Sequence, residues 1–207
     1  MLNKYKIIFW DFDGVILDSN NIRTNAFIEI FKNFPKDQIS DLVKYHIENG
    51  GLSRYEKIEY FFINILKKKI TKEELLFYAK KYKLFILEHL VHKKYIINQT
   101  INFIKKKESI FSMFIVSASD ENELRYICRE LELEHFFDAI HGSPRTKKNN
   151  IGDLIKLNNL KTNEIVLIGD SLNDYEAAVF NKIDFIGFNN PKLENFAPYI
   201  KNFSNLD

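Results

Sequence analysis

The sequence predicts an α/β fold, a doubly wound parallel sheet into which a small helical domain is inserted. Three observations predict it. Short, almost unbroken apolar runs recur along the chain, at residues 6–10, 111–117, 139–142, 165–169 and 185–188. Continuous hydrophobicity over so few residues suits strands buried on both faces of a parallel sheet. Helical spacing fills the intervals between the later runs, and strand alternating with helix is the rhythm of a doubly wound sheet. Between the first and second runs, however, roughly ninety residues pass with helical periodicity and no strand pattern, too many for a crossover.

That interval resolves into successive helices. Ile22, Ala26, Phe27, Ile30, Phe31 and Phe34 form one apolar stripe, and Ile39, Leu42, Val43, His46 and Ile47 form a second. Gly50 and Gly51 stop the chain. Ser53 with Glu56 then makes a capping box that starts a third helix through Ile58, Phe61, Phe62 and Ile65; Thr71 with Glu74 repeats the device for a fourth, through Leu75, Ala79, Tyr82 and Ile86. The aromatic residues Phe61, Phe62, Phe77 and Phe85 read as core of this bundle. The expected organisation is a helical cap over residues 19–92 and an α/β core over 1–18 and 93–207. A helix near 96–106 leads back to the sheet, and further helices carry Leu124, Ile127, Cys128 and Leu131, then Ile151, Leu154 and Ile155.

Bulk properties exclude several classes of function. Of 207 residues 45% are hydrophobic, enough to bury a core, and 30 Lys and Arg against 28 Asp and Glu leave a net charge of +2. The charges are scattered, so no nucleic-acid footprint is expected. The clusters at 67–69 and 105–107 read as solvated helix ends. The single cysteine, Cys128, lies on an apolar face and reads as a core thiol in a reducing compartment. Residues 1–6 lack the order of a secretion signal, and no apolar run approaches the length of a membrane span, so a cytoplasmic protein without membrane partners is expected. A monomer or small homo-oligomer is the expected state. None of the five histidines has zinc-like partners.

The chemistry gathers at strand ends. The first strand ends in Asp11-Phe12-Asp13-Gly14-Val15 and the fourth in Gly169-Asp170-Ser171-Leu172-Asn173-Asp174. Ligands of parallel sheets collect beyond the carboxyl ends of the strands, so if these two strands are neighbours four carboxylates converge. Such a group is costly without a cation, and oxygen-only donors suit Mg²⁺. Gly14 lets the backbone turn closely around an anion.

These residues resemble the haloacid dehalogenase superfamily. The likeness comprises Asp11 to Gly14 (DxDG), the strand-end Ser117 in Ile115-Val116-Ser117-Ala118-Ser119, a lysine in Gly142-Ser143-Pro144-Arg145-Thr146-Lys147, and Asp170 with Asp174 in GDSxxD. It covers essentially the whole chain, and the helical insert is placed like that family's type-1 cap on a Rossmann-like core. The resemblance implies that Asp11 attacks phosphorus to form an aspartyl phosphate, and that Asp13 protonates the leaving oxygen and later deprotonates water. It implies Mg²⁺ held by Asp11, the carbonyl of Asp13 and Asp170, with Asp174 near the ion or just behind its ligands, and phosphate oxygens bound by Ser117, the amide of Ala118 and a lysine. That lysine is Lys147 in preference to Lys148. Gly50-Gly51-Leu52-Ser53-Arg54 is similar to the Gly-x-Ser-Arg loop of β-phosphoglucomutase and its relatives, in which the arginine reaches substrate from the cap; the alternative is that Arg54 begins a helix and points into water. The expected function is hydrolysis of a small phosphomonoester, a phosphorylated acid or sugar. Two alternatives stay open: a phosphohexose mutase, which Val15 slightly favours, and a catalytically silent metabolite-binding or regulatory protein.

Overall fold

The computed structural model describes residues 2–206. Among them six strands form one sheet: β1 (Ile7–Trp10), β2 (Ser112–Asp120), β3 (Ala139–Ser143), β4 (Ile165–Gly169), β5 (Asp184–Phe188) and β6 (Tyr199–Ile200). Their order is β3-β2-β1-β4-β5-β6, and every pairing is parallel. The expected parallel sheet is therefore present, with a sixth strand too short to leave an apolar run.

Helices α1 (Asn20–Ile30), α2 (Lys36–Glu48), α3 (Arg54–Tyr60) and α4 (Lys72–Leu90) occupy the interval between β1 and β2. Both capping boxes form: Ser53 Oγ accepts from Glu56 N while the Glu56 carboxylate accepts from Ser53 N, and Thr71 and Glu74 repeat the exchange. Helix α3 continues through a π-helical turn at Phe61–Ile65. Phe34 was expected on the first helical stripe, yet α1 stops at Ile30. Pro35 disfavours helical backbone at the residue before it and caps α2 instead. Phe34 still packs, its ring 5.2 Å from that of Phe61. Phe77 departs from its expected core place, being 53% exposed.

The remaining helices are α5 (Asn98–Lys107), α6 (Glu121–Glu130), α7 (Lys147–Leu157) and α8 (Leu172–Asn181). Alternation along β1 divides the packing. Ile8 and Trp10 join one cluster with α5, α6 and the cap helices; Ile7 and Phe9 join the other with α7 and α8. Cys128 is buried in the first cluster, and burial pushes its thiol up to about 12. The two chain crossings between sheet and cap are tied together. Leu17 bridges Ile96, Asp18 N donates to Tyr95 O at 2.7 Å, and Ile97 N donates to Ile16 O at 2.9 Å. Among the described residues, no helix is long and apolar enough to cross a membrane.

Candidate active site

Strands β1 and β4 are neighbours, with Trp10 opposite Ile168, so Asp11 and Asp170 leave the sheet side by side. The Asp11 amide donates to Ile168 O at 2.9 Å, which extends the pairing to the first carboxylate. Asp174 joins them from the first turn of α8. Its Oδ2 accepts from Ser171 N and Ser171 Oγ, at 3.0 and 2.7 Å, in a capping box. One carboxylate oxygen each from Asp11, Asp170 and Asp174 lies within 4.8 Å of the others.

Two glycines permit this crowding. A Cβ on Gly169 would sit 2.5 Å from the Asp174 side chain; one on Gly14, whose φ is +77°, would sit 2.0 Å from Asp170 Oδ2.

Lys147 is the first residue of α7, started by Thr146 as N-cap, and its Nζ lies 2.7 Å from Asp11 Oδ1 while also contacting Asp174 Oδ1. Lys148 turns outward, with Nζ 3.9 Å from the ring centre of Phe180. Burial and the neighbouring Asp174 drive Asp11 well above the usual carboxylate range, against the pull of Lys147. The same two causes push Asp170 up to about 7. Burial would lower Lys147, but Asp11 and Asp174 outweigh it and raise the ammonium instead. The donor set is therefore all oxygen, buried at Asp11 and Asp174 and partly open at Asp170, and short of positive charge, which fits a hard divalent cation such as Mg²⁺.

Asp13 points elsewhere. Its Oδ1 accepts from Ser19 Oγ at 2.5 Å and from Arg23 Nε, and its Oδ2 accepts from Ser119 Oγ at 2.6 Å. Burial would raise its pKa, but Arg23 and the two hydroxyls prevail and hold the carboxyl below its ordinary value. Ser117, 1% exposed, sits with Ala118 and Ser119 where the β2–β3 register shifts, between Val116 and Asp120. Such irregularities re-aim side chains, and here they carry β2 beyond its expected end at Ser117. Ser117, Ala118 and Ser119 all line a cavity of about 540 Å³ shared with Asp11, Asp13 and Asp170.

Arg54 also lines that cavity, but it is 5% exposed and does not point into water. Its guanidinium lies 4.6 Å from the Tyr82 ring centre, and Nη1 is 2.7 Å from Glu123 Oε2. That contact is off the hydrogen-bonding direction, so it acts as a charge pair. Glu123, fully buried in α6, also accepts from Arg23 at 3.2 Å. Sequence reasoning missed Arg23, Glu123, Ser119, His46 and Lys57 as site residues. The one signal for Arg23 was its position four residues before Phe27, on the buried side of α1.

The profile of the haloacid dehalogenase-like hydrolase family matches residues 7–188. Comparison with curated proteins gives no match. Among solved structures, β-phosphoglucomutase from Clostridium difficile is similar with a TM-score of 0.80 at 16% identity, over 98% of this chain and 93% of that one. A predicted phosphoglycolate phosphatase from Haemophilus somnus is similar with a TM-score of 0.74 at 16% identity, over 98% and 96%. A haloacid dehalogenase-like hydrolase from Bacillus subtilis, bound to magnesium, is similar with a TM-score of 0.71 at 20% identity, over 98% and 96%. At these identities the structural likenesses speak for the fold alone. The family profile spans nearly all of the sheet and the inserted helices, and the chain belongs to the haloacid dehalogenase-like hydrolases.

Proposed function

We propose that the chain is a Mg²⁺-dependent phosphatase that hydrolyses a small phosphomonoester through an aspartyl-phosphate intermediate on Asp11. The observation that carries this reading is the meeting of Asp11, Asp170 and Asp174 within 4.8 Å, with Lys147 set on Asp11 and Asp174. Asp11, Asp170 and Asp174 would hold the ion together with the carbonyl of Asp13. When bound, Mg²⁺ supplies neutralising charge to the carboxylates and to the transferring phosphoryl oxygens.

An Asp11 oxygen attacks phosphorus, and the bond from phosphorus to the leaving oxygen breaks in the same displacement. Ser117 Oγ, the Ala118 amide and Lys147 Nζ hold the other phosphoryl oxygens. Asp13 gives the leaving oxygen its proton and later takes one from the water that releases phosphate. Paired with Arg23, Ser19 and Ser119, Asp13 is ionised, the state of a base; serving as an acid requires it to take up a proton and leave Arg23. The wall of cap residues around the cavity restricts substrates to small metabolites.

The test is phosphate release from a panel of phosphomonoesters with Mg²⁺, for the wild type beside Asp11→Asn. The expected loss is about 1000-fold or more, as for removal of an attacking group. Equal rates for the two proteins would overturn the reading, and interconversion of sugar phosphates without phosphate release would replace it with a mutase.

A further inference from the structure

Lys57 belongs to α3 on the cap side of the cavity and is 3% exposed. A lysine this buried ordinarily faces a carboxylate, because an isolated ammonium is costly to remove from water. Lys57 instead donates to His46 Nδ1 at 2.9 Å and to Gly50 O at 3.4 Å, leaving one of its three donors unassigned. The neighbouring buried charges do not make up the deficit. Arg23 and Arg54 take the carboxylates of Asp13 and Glu123, and among the described residues no carboxylate pairs directly with Lys57. Arg23 and Arg54 each keep a buried Nη2 without a hydrogen-bond partner.

His46 cannot act as a counter-charge. Burial, Lys57 and Arg23 push it down to about 3, so the ring is neutral and its Nδ1 accepts from Lys57. Burial and Arg23 push Lys57 itself down to about 7, against Asp13, Glu56 and Asp170. The cap thus presents an ammonium group, held directly only by neutral partners, to the same cavity that Asp11, Ser117 and Asp170 line from the sheet.

We propose that Lys57, seated on His46, receives a second anionic group of the substrate, so that the substrate is a phosphomonoester bearing a carboxylate or another phosphate on its leaving group. This rests on the phosphomonoester reading above. An anion placed there gives the ammonium the direct charge partner that its neutral contacts do not supply, and a neutral tail does not. Selectivity then comes from a group remote from the reacting phosphorus.

The experiment compares phosphoglycolate (carboxylate tail), ethylene glycol bisphosphate (phosphate tail) and 2-hydroxyethyl phosphate (neutral tail), together with longer homologues of each. Wild type, Lys57→Met, Lys57→Gln and Lys57→Arg are assayed for kcat/KM, and calorimetric binding is measured with each Lys57 form in an Asp11→Asn background. The expected result is a preference for one charged tail that falls about 30-fold in Lys57→Met and Lys57→Gln and is largely kept by Lys57→Arg. Which charged series shows the loss identifies the anion as carboxylate or phosphate. No charged-tail preference in any series, or one unchanged in Lys57→Met, overturns the proposal. If no compound is hydrolysed, the phosphatase reading fails, while the binding arm still decides the role of Lys57.

Discussion

Arg54 Nη1 lies 2.7 Å from Glu123 Oε2, and the two residues belong to different parts of the chain, α3 of the cap and α6 beside the sheet. Glu123 also serves Arg23 of α1, so one fully buried carboxylate joins two cap helices to the core. Glu123→Gln keeps the shape and removes the charge, leaving two guanidinium groups with Asp13 alone. The expected cost is about 3–5 kcal/mol of stability, read from urea unfolding, with the m-value unchanged. An unaltered midpoint would mean that the pairing contributes nothing to holding α1 and α3 against α6.

The acidic cluster predicts a pH response of the metal-free protein. Asp170 titrates at about 7 in the folded state against an ordinary value of 3.8. Its folded pKa is raised, so the folded state retains a proton that the unfolded chain has lost, and stability falls as pH rises between these values. Thermal melts in a chelator should show the wild type losing ground to Asp170→Asn from about pH 4 to about pH 7, with Mg²⁺ reversing the loss. A difference that shrinks with rising pH would contradict the assignment.

Gly14→Ala tests how closely the DxDG turn approaches the fourth strand. The new Cβ would fall 2.0 Å from Asp170 Oδ2 at a φ of +77°, so both the turn and the carboxylate must move. The expected result is Mg²⁺ affinity at least about 10-fold weaker by calorimetry, on the scale seen when groups supporting a metal site are displaced.

The adjacent lysines give an internal control. Lys147→Met should lower kcat about 100-fold or more, as for loss of a charge that stabilises the transition state, whereas Lys148→Met removes only a surface contact with Phe180. Comparable losses in the two variants would dissolve the distinction drawn from their geometry.

Much of the fold was legible in the sequence because both-face burial writes itself as unbroken apolar runs, as in Ile7 to Trp10 and Ile165 to Gly169. The acidic pair at Asp11 and Asp170 was legible for a related reason, as charge placed where each run stops. Arg23, Glu123 and Lys57 were not. Each lies on a helix, where a charged residue ordinarily faces water, and only tertiary packing turns these three inward. The two-residue strand Tyr199–Ile200 was too short for periodicity to register, and the irregularity at Ser117 to Ser119 depends on pairing with β3 that no local pattern encodes.

The ties linking Asp18 to Tyr95 and Ile16 to Ile97 mean that the polypeptide departs from the sheet and comes home through a single doorway. Whatever is threaded between those posts, the strands on either side keep their spacing. A different lid spliced in at those posts must still bring partners for Asp13, Asp170 and Glu123, which Arg23, Asn20 and Arg54 now supply, so the choice of guest and the cleavage chemistry change together.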